Sequence, residues 1–336
     1  AYAIYSTGGD NLISNSKIKI AMQAPGNDDM GCMGINLSGS TSFTINDTSI
    51  AMESLDTGIS FAGKLSISGS ALTIKDATEY AVVAGQTEIL NGSELNISSQ
   101  SGQALQAAGQ KVTISHSSVN LVSTQSSAMF CNDIEIIDSS ELAAKGNGVS
   151  LFVGNDTVIR NSYVDAVGEN NVGIYCEGSA EITDSEVKSL SEKELGGFRV
   201  LGDITIKDSD ITSSGNSDND SIYAGGSISI TGGTTEIGTG SSSAGKDIYI
   251  GGVISSNGVP SYDNIKNDSG NLSFLEADYS KVDSAVKKAE ALDGKDYTNF
   301  VAVEEALEAA DKGRPLPFWE QDVVDGYADA IEKALA

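Results

Sequence analysis

Residues Gly173–Val187 read GIYCEGSAEITDSEV: a small residue, an apolar-aromatic-small triplet, a turn, an isoleucine, then Asp-Ser and another apolar residue. Phrases of this shape recur along most of the chain. The isoleucine that closes each apolar-x-Ile step recurs at Ile45, Ile67, Ile89, Ile114, Ile136, Ile159, Ile182, Ile206 and Ile230, about two dozen residues apart each time. A sequence period in that range is the mark of a solenoid. Ile13 opens an earlier coil, lengthened by the insertion APGNDDMGCMG.

Two residues beyond the anchors stand Asp47, Gly69, Asn91, His116, Asp138, Asn161, Asp184, Asp208 and Gly232. These residue types best tolerate a left-handed backbone or an Asx turn. A serine or threonine follows in most coils, and then an apolar residue opens a second strand (Ile50, Leu72, Leu95, Val119, Leu142, Val164, Val187, Ile211). A third strand closes each coil. Strand, tight turn, strand, loop, strand describes a parallel β-helix, right-handed by the usual crossover chirality. With about 4.8 Å per coil, roughly ten coils of three short strands give a rod about 50 Å long.

Side chains alternate between the faces of a strand. In the third strand, Ile4, Val82, Leu105, Met129, Leu151, Ile174, Phe198, Ile222 and Ile248 form one inward column, with the column of Ser6, Ala84, Ala107, Cys131, Val153, Cys176, Val200, Ala224 and Ile250, mostly small, two residues on. Between them an outward column is expected at Tyr5, Phe61, Val83, Gln106, Phe130, Phe152, Tyr175, Arg199, Tyr223 and Tyr249, seven of the ten aromatic in a chain with only 6% aromatic residues. The residues before it (Ala81, Ala104, Ala128, Ser150, Gly173, Gly197, Ser221) are small, which suggests uncovered rings. The same columns bury Cys131 and Cys176 as free thiols. They lie two coils, about 10 Å, apart, beyond the ~4.4–6.8 Å Cα separation a disulfide needs.

The solenoid is expected over residues 1–256, and 257–275 read as a linker or cap rich in Asn, Ser, Gly and Asp. From Ala277 the apolar period becomes helical, with stripes through Val282–Leu292, Phe300–Ala310 and Val324–Leu335, which predicts a small three-helix bundle over 276–336. The segment AIYSTGG matches a third strand, so the expectation is that further residues or a domain precede Ala1, or else that this end packs on something else.

The 336 residues carry a formal net charge of −27. That charge disfavours nucleic acid, anionic membrane surfaces and acidic polysaccharides, and leaves neutral glycans, proteins or cations as partners. No apolar run is long enough to span a membrane. The three cysteines form no zinc motif. His116, the only histidine, sits in the turn column. GSSSAGKD (Gly240–Asp247) imitates a phosphate loop but has Asp where Ser or Thr is required, and a strand follows. No cofactor is expected; the acidic segments Gly26–Gly31 and Ser217–Asp220 are the candidate calcium loops. A lyase would use Arg160 or Arg199, which are nearly two coils apart. A hydrolase would need two carboxylates about 5–9.5 Å apart, and Glu141 and Glu186 in one outward column are the candidate pair.

The repeated [Ala/Gly]-Ile-Tyr … Ile-x-[Asp/Asn]-Ser-x-Val phrases resemble the β-helical regions of secreted and cell-surface proteins of Gram-positive gut bacteria, commonly labelled carbohydrate-binding. The tail is similar to FIVAR-type helical modules at Ala285, Leu292, Tyr297, Thr298, Leu307, Gln321, Val324, Ala328 and Ile331, but beyond Phe300 it lacks their aromatic-rich start to the second helix. These resemblances imply an extracellular, wall- or surface-attached protein and no particular reaction. The leading expectation is a non-enzymatic, adhesin-like protein that binds a neutral polysaccharide or surface glycoprotein through Tyr5, Phe61, Phe130, Phe152, Tyr175, Arg199, Tyr223 and Tyr249, with Gln106 as a further polar contact. The alternatives are a structural stalk with a self-stacked or covered stripe, and a polysaccharide-cleaving β-helix enzyme.

Overall fold

The computed structural model describes residues 1–21, 31–193, 196–215, 220–238, 241–256, 259–262, 265–267, 270–292 and 300–336. The chain divides into two units, one built from residues 1–248 and 252–271, the other from 249–251 and 272–336.

The first unit is a parallel β-solenoid of about ten turns. Each anchor isoleucine pairs in register with the next, from Ile13↔Ile45 through Ile114↔Ile136 to Ile206↔Ile230. This first ladder is accompanied by a second, running from Ile50↔Leu72 to Val187↔Ile211. The third contains the strands Met129–Ile137 (its first half), Leu151–Val153, Ile174–Cys176 and Phe198–Val200. The inward columns are closed to solvent: Ile45, Ile114, Leu142, Val187, Ile174 and Phe198 are all 0% exposed.

The turns behave as their residue types require. Asp47, Asn91, His116, Asp138, Asn161, Asp184 and Asp208 all have φ between 45° and 60°, and Gly69 and Gly232 join them at 55° and 68°. Asp, Asn, His and Gly reach this left-handed region at least cost, while a β-branched residue there is an outlier. His116 is therefore a turn residue: exposed, with Nδ1 3.2 Å from Ser115 Oγ and 3.9 Å from the Asp138 carboxylate.

The following hydroxyls form a ladder of their own. The N–H of Thr48, Ser70, Ser93, Ser117, Ser140, Ser162 and Ser185 each donates to the hydroxyl oxygen of the next coil, at 3.1–3.3 Å. The hydroxyls in turn donate to carbonyls two or three residues back, as Ser185 Oγ does to Thr183 O at 2.7 Å. A buried donor without a partner costs about 1–3 kcal/mol, so one small side chain per coil satisfies the backbone where the chain turns.

All three cysteines are free and buried. Cys131 and Cys176 both pair with Val153, which lies between them. Residues expected as a linker carry further short strands at Val259–Pro260, Ile265–Asn267 and Leu272–Phe274, and the second of these extends the third ladder by pairing with Ser242–Ala244.

The second unit holds α1 (Ser280–Glu290), α2 (Val301–Lys312) and α3 (Gln321–Leu335). They close around Val282, Ala285, Ala289, Val303, Ala310, Val324, Ala328 and Ile331, the stripes read from the sequence. Lys281–Asp325 at 2.6 Å and Lys288–Glu332 at 2.5 Å tie α1 to α3. Tyr279 donates to Gly313 O at 3.1 Å and accepts from the Leu316 amide at 2.9 Å, with the Arg314 guanidinium 4.4 Å above its ring. Tyr297 and Thr298 lie outside the described residues.

Candidate functional site

The outward column of the third ladder is set by strand pairing: Tyr5↔Asn36↔Ser60↔Val83↔Gln106↔Phe130↔Phe152↔Tyr175↔Arg199↔Tyr223↔Ser243↔Lys266. Tyr5, Phe130, Phe152, Tyr175, Arg199 and Tyr223 stand in it as expected. The continuous part is the run of five consecutive coils from Phe130 to Tyr223, every member half-buried. Tyr5 is 54% exposed and stacks on Tyr2. Polar or aliphatic residues separate it from that run.

Two expected members are elsewhere. Phe61 is only 6% exposed and points inward, edge-on to Phe43 at 6.2 Å. Ser60 takes the outward position, and a shift of one residue along a strand reverses the face. Tyr249 follows Asp247, whose carbonyl accepts the N–H of Ile228, so it sits on a first-ladder strand. The third-ladder strand of that coil is Ser241–Ala244, whose run of serines hides the alternation.

The small residues preceding the column also differ from expectation. Ala81, Ala104, Ala128, Ser150 and Ser221 are 0% exposed. They line a tight corner against the end of the second-ladder strand. Ser150 Oγ donates to Ala144 O at 2.8 Å, and a Cβ on Gly173 would lie 2.7 Å from Ala166 O. Smallness here serves chain packing rather than uncovering the rings.

The rings cover one another instead. Phe130 stacks on Phe152 with centroids 5.0 Å apart and planes at 21°, and Phe152 on Tyr175 at 5.1 Å and 30°. These separations exceed the ~3.5–4.0 Å contact distance between carbons, so the rings are offset. Arg199 continues the column with its guanidinium 4.2 Å from the Tyr223 ring centre.

The candidate catalytic groups do not converge. Tyr163 lies between Glu141 and Glu186 in their column. Glu186 is paired with Lys188 at 3.0 Å, and that ammonium also reaches Tyr163 Oη at 3.3 Å. Arg160 pairs with Glu181 at 3.4 Å. A shallow groove of about 310 Å³ touches Asp156, Ser179, Glu181 and Asp203. Its aspartates serve the backbone: Asp156 accepts the Ser179 N–H at 2.8 Å and Asp203 that of Ser227 at 2.7 Å. Among the described residues, no group of three or more His, Cys, Asp or Glu side chains is placed to hold a metal ion. Of the candidate calcium loops, residues 26–30 and 217–219 lie outside the described residues. No described helix is long and apolar enough to cross a membrane.

No family model, curated protein or solved structure matches this chain.

Proposed function

We propose that the chain is a non-enzymatic extracellular surface protein, of the kind its repeats resemble in Gram-positive gut bacteria, with the FIVAR-like helical unit as an accessory module. Its solenoid binds a neutral polysaccharide or surface glycoprotein along Phe130, Phe152, Tyr175, Arg199 and Tyr223. The observation that carries this reading is the register: five consecutive coils place large, half-exposed, ring- or guanidinium-bearing side chains in one column. Such a stripe matches an extended ligand whose units recur along the rod, and exposed apolar area on a soluble protein commonly marks a partner.

Affinity electrophoresis against a panel of neutral polysaccharides tests it. Wild-type protein is retarded by at least one polymer, and the Phe130→Ala/Tyr175→Ala double variant is not, with folding intact by circular dichroism. Absence of retardation on every polymer removes this reading.

A second reading, a structural spacer, is favoured by the way the rings cover one another's faces. Under it the same double variant loses stability, because each stacked pair is worth about 0.5–1.5 kcal/mol, while no polymer retards the wild type.

A further inference from the structure

The chain has three arginines, and two of them are neutralised: Arg160 by Glu181 at 3.4 Å and Arg314 by Asp283 at 2.5 Å. Arg199 differs. Among the described residues its guanidinium makes no hydrogen bond and no ion pair, and it lies 4.2 Å from the Tyr223 ring centre. This happens in a protein with 47 acidic residues against 20 basic ones, where a carboxylate partner is easily supplied. An arginine stays charged and presents five donors in a rigid planar fork. Stacking over a ring holds the plane of the fork while leaving its edge donors unused.

The position of that fork is as telling as its lack of a polar partner among the described residues. Phe198 and Val200, on either side of Arg199, are both 0% exposed, so the backbone beneath it is anchored. Arg199 stands in the aromatic column, with Tyr175 one coil before it and Tyr223 one coil after. A ligand lying along Tyr175 and Tyr223 therefore passes the guanidinium.

We infer that the stripe is selective for a glycan carrying a carboxylated sugar, with the carboxylate received by the Arg199 fork and adjoining neutral sugars lying along Tyr175 and Tyr223. This inference rests on the reading of the stripe as a glycan surface and names its ligand class. The planar fork matches the two oxygens of a carboxylate. The overall charge of −27 limits the ligand to sparse acid groups, because a polyanion would be repelled along its length while one carboxylate at Arg199 meets a local cation. A mainly neutral glycan with a single acidic branch or terminus satisfies both conditions.

The test uses the whole chain and two matched probe pairs in isothermal titration: 3′-sialyllactose against lactose, and a glucuronic-acid-substituted xylo-oligosaccharide against the unsubstituted one. The acidic member of one pair is expected to bind about tenfold or more tighter than its neutral partner, the scale of a charge-assisted hydrogen bond. The pair that shows the preference identifies the acid. Arg199→Gln abolishes the preference, so that the acidic and neutral members of the pair bind it equally. Arg199→Lys, which keeps the charge but loses the fork, recovers only part of it. Equal binding of acidic and neutral probes by the wild type overturns the inference, as does a preference that survives in Arg199→Gln. If neither pair binds while a neutral polymer retards the wild type, the inference fails and the glycan surface stands. If nothing binds in either experiment, both fail.

Discussion

Ser140 gives its backbone N–H to the hydroxyl oxygen of Ser162 in the next coil, at 3.3 Å. Ser162 then donates its hydroxyl to Arg160 O at 2.8 Å and its own N–H to Ser185 Oγ at 3.2 Å. One hydroxyl therefore satisfies a donor and an acceptor at a turn where regular strand pairing stops. Ser162→Ala leaves the Ser140 N–H unpaired in a site where Ser140 is 1% and Ser162 8% exposed. The expected cost is about 1–3 kcal/mol, read as a lowered urea midpoint. Ser162→Thr keeps the hydroxyl, as Thr48 does in an earlier coil, and is expected to lose less. Equal losses for Ala and Thr would show that the hydroxyl is not what matters.

His116 is tested through its backbone. Its φ of 48° lies where glycine is free and a β-branched residue is strained. His116→Gly is therefore expected to leave the thermal midpoint almost unchanged, since Gly69 already fills the equivalent turn. His116→Val is expected to cost about 1–2 kcal/mol. A larger loss in the glycine variant than in the valine variant would mean that the imidazole, not the turn, is what the position requires.

The solenoid was legible because its signals repeat. An isoleucine error in one coil is corrected by its neighbours, and the Asp/Asn/Gly column marks the turns independently of the apolar pattern. The aromatic column was legible only where the alternation was strict. In GISFAG, both Ser60 and Phe61 can be placed outward, and the aromatic preference favoured the wrong one; packing against Phe43 decides it. In the coil of Ser241–Ala244, four small residues carry no face preference, so the next clear apolar-aromatic triplet, Ile248–Ile250, stood in for the third strand. Whether the rings stand open or cover one another was left undecided by the sequence. It depends on side-chain tilt between coils, which residue types do not encode.

The buried thiols give a pH dependence whose sign can be worked out. Burial pushes the Cys131 thiol far above its ordinary range, and burial likewise raises Cys176. A group whose folded pKa is raised favours the fold fully below its unfolded value, near 8.5, and that contribution declines as pH rises through the window above it. The Cys131 thiol then contributes a slope that approaches about 1.4 kcal/mol per pH unit, and Cys176 adds to it in the same direction. The wild type is expected to lose more stability between pH 9 and about 10.5 than Cys131→Ala/Cys176→Ala, since alanine already occupies this column at Ala84, Ala107 and Ala224. Parallel pH profiles for the two proteins would show that these thiols stay exposed to base. In the native state, Ellman's reagent is expected to find no fast-reacting thiol, and to find all three in denaturant.

Phe152 is stacked on both sides, by Phe130 at 5.0 Å and by Tyr175 at 5.1 Å, while Phe130 has a ring on one side only. If the pairs contribute independently, Phe152→Ala removes two stacking contacts, about 1–3 kcal/mol, and Phe130→Ala one, about 0.5–1.5 kcal/mol. Burial lost on truncation adds to both, so the informative quantity is the difference between them, measured by urea denaturation. A double-mutant cycle on Phe130 and Phe152 isolates the pair term, since neighbouring side chains in contact are not additive. A coupling near zero would mean that the rings only share a column, which weakens the spacer reading and leaves their half-exposed surface for a ligand. A coupling of about 0.5–1.5 kcal/mol establishes the stack as a structural element. It also implies that a ligand meets a preformed, rigid stripe, so less side-chain ordering has to accompany binding.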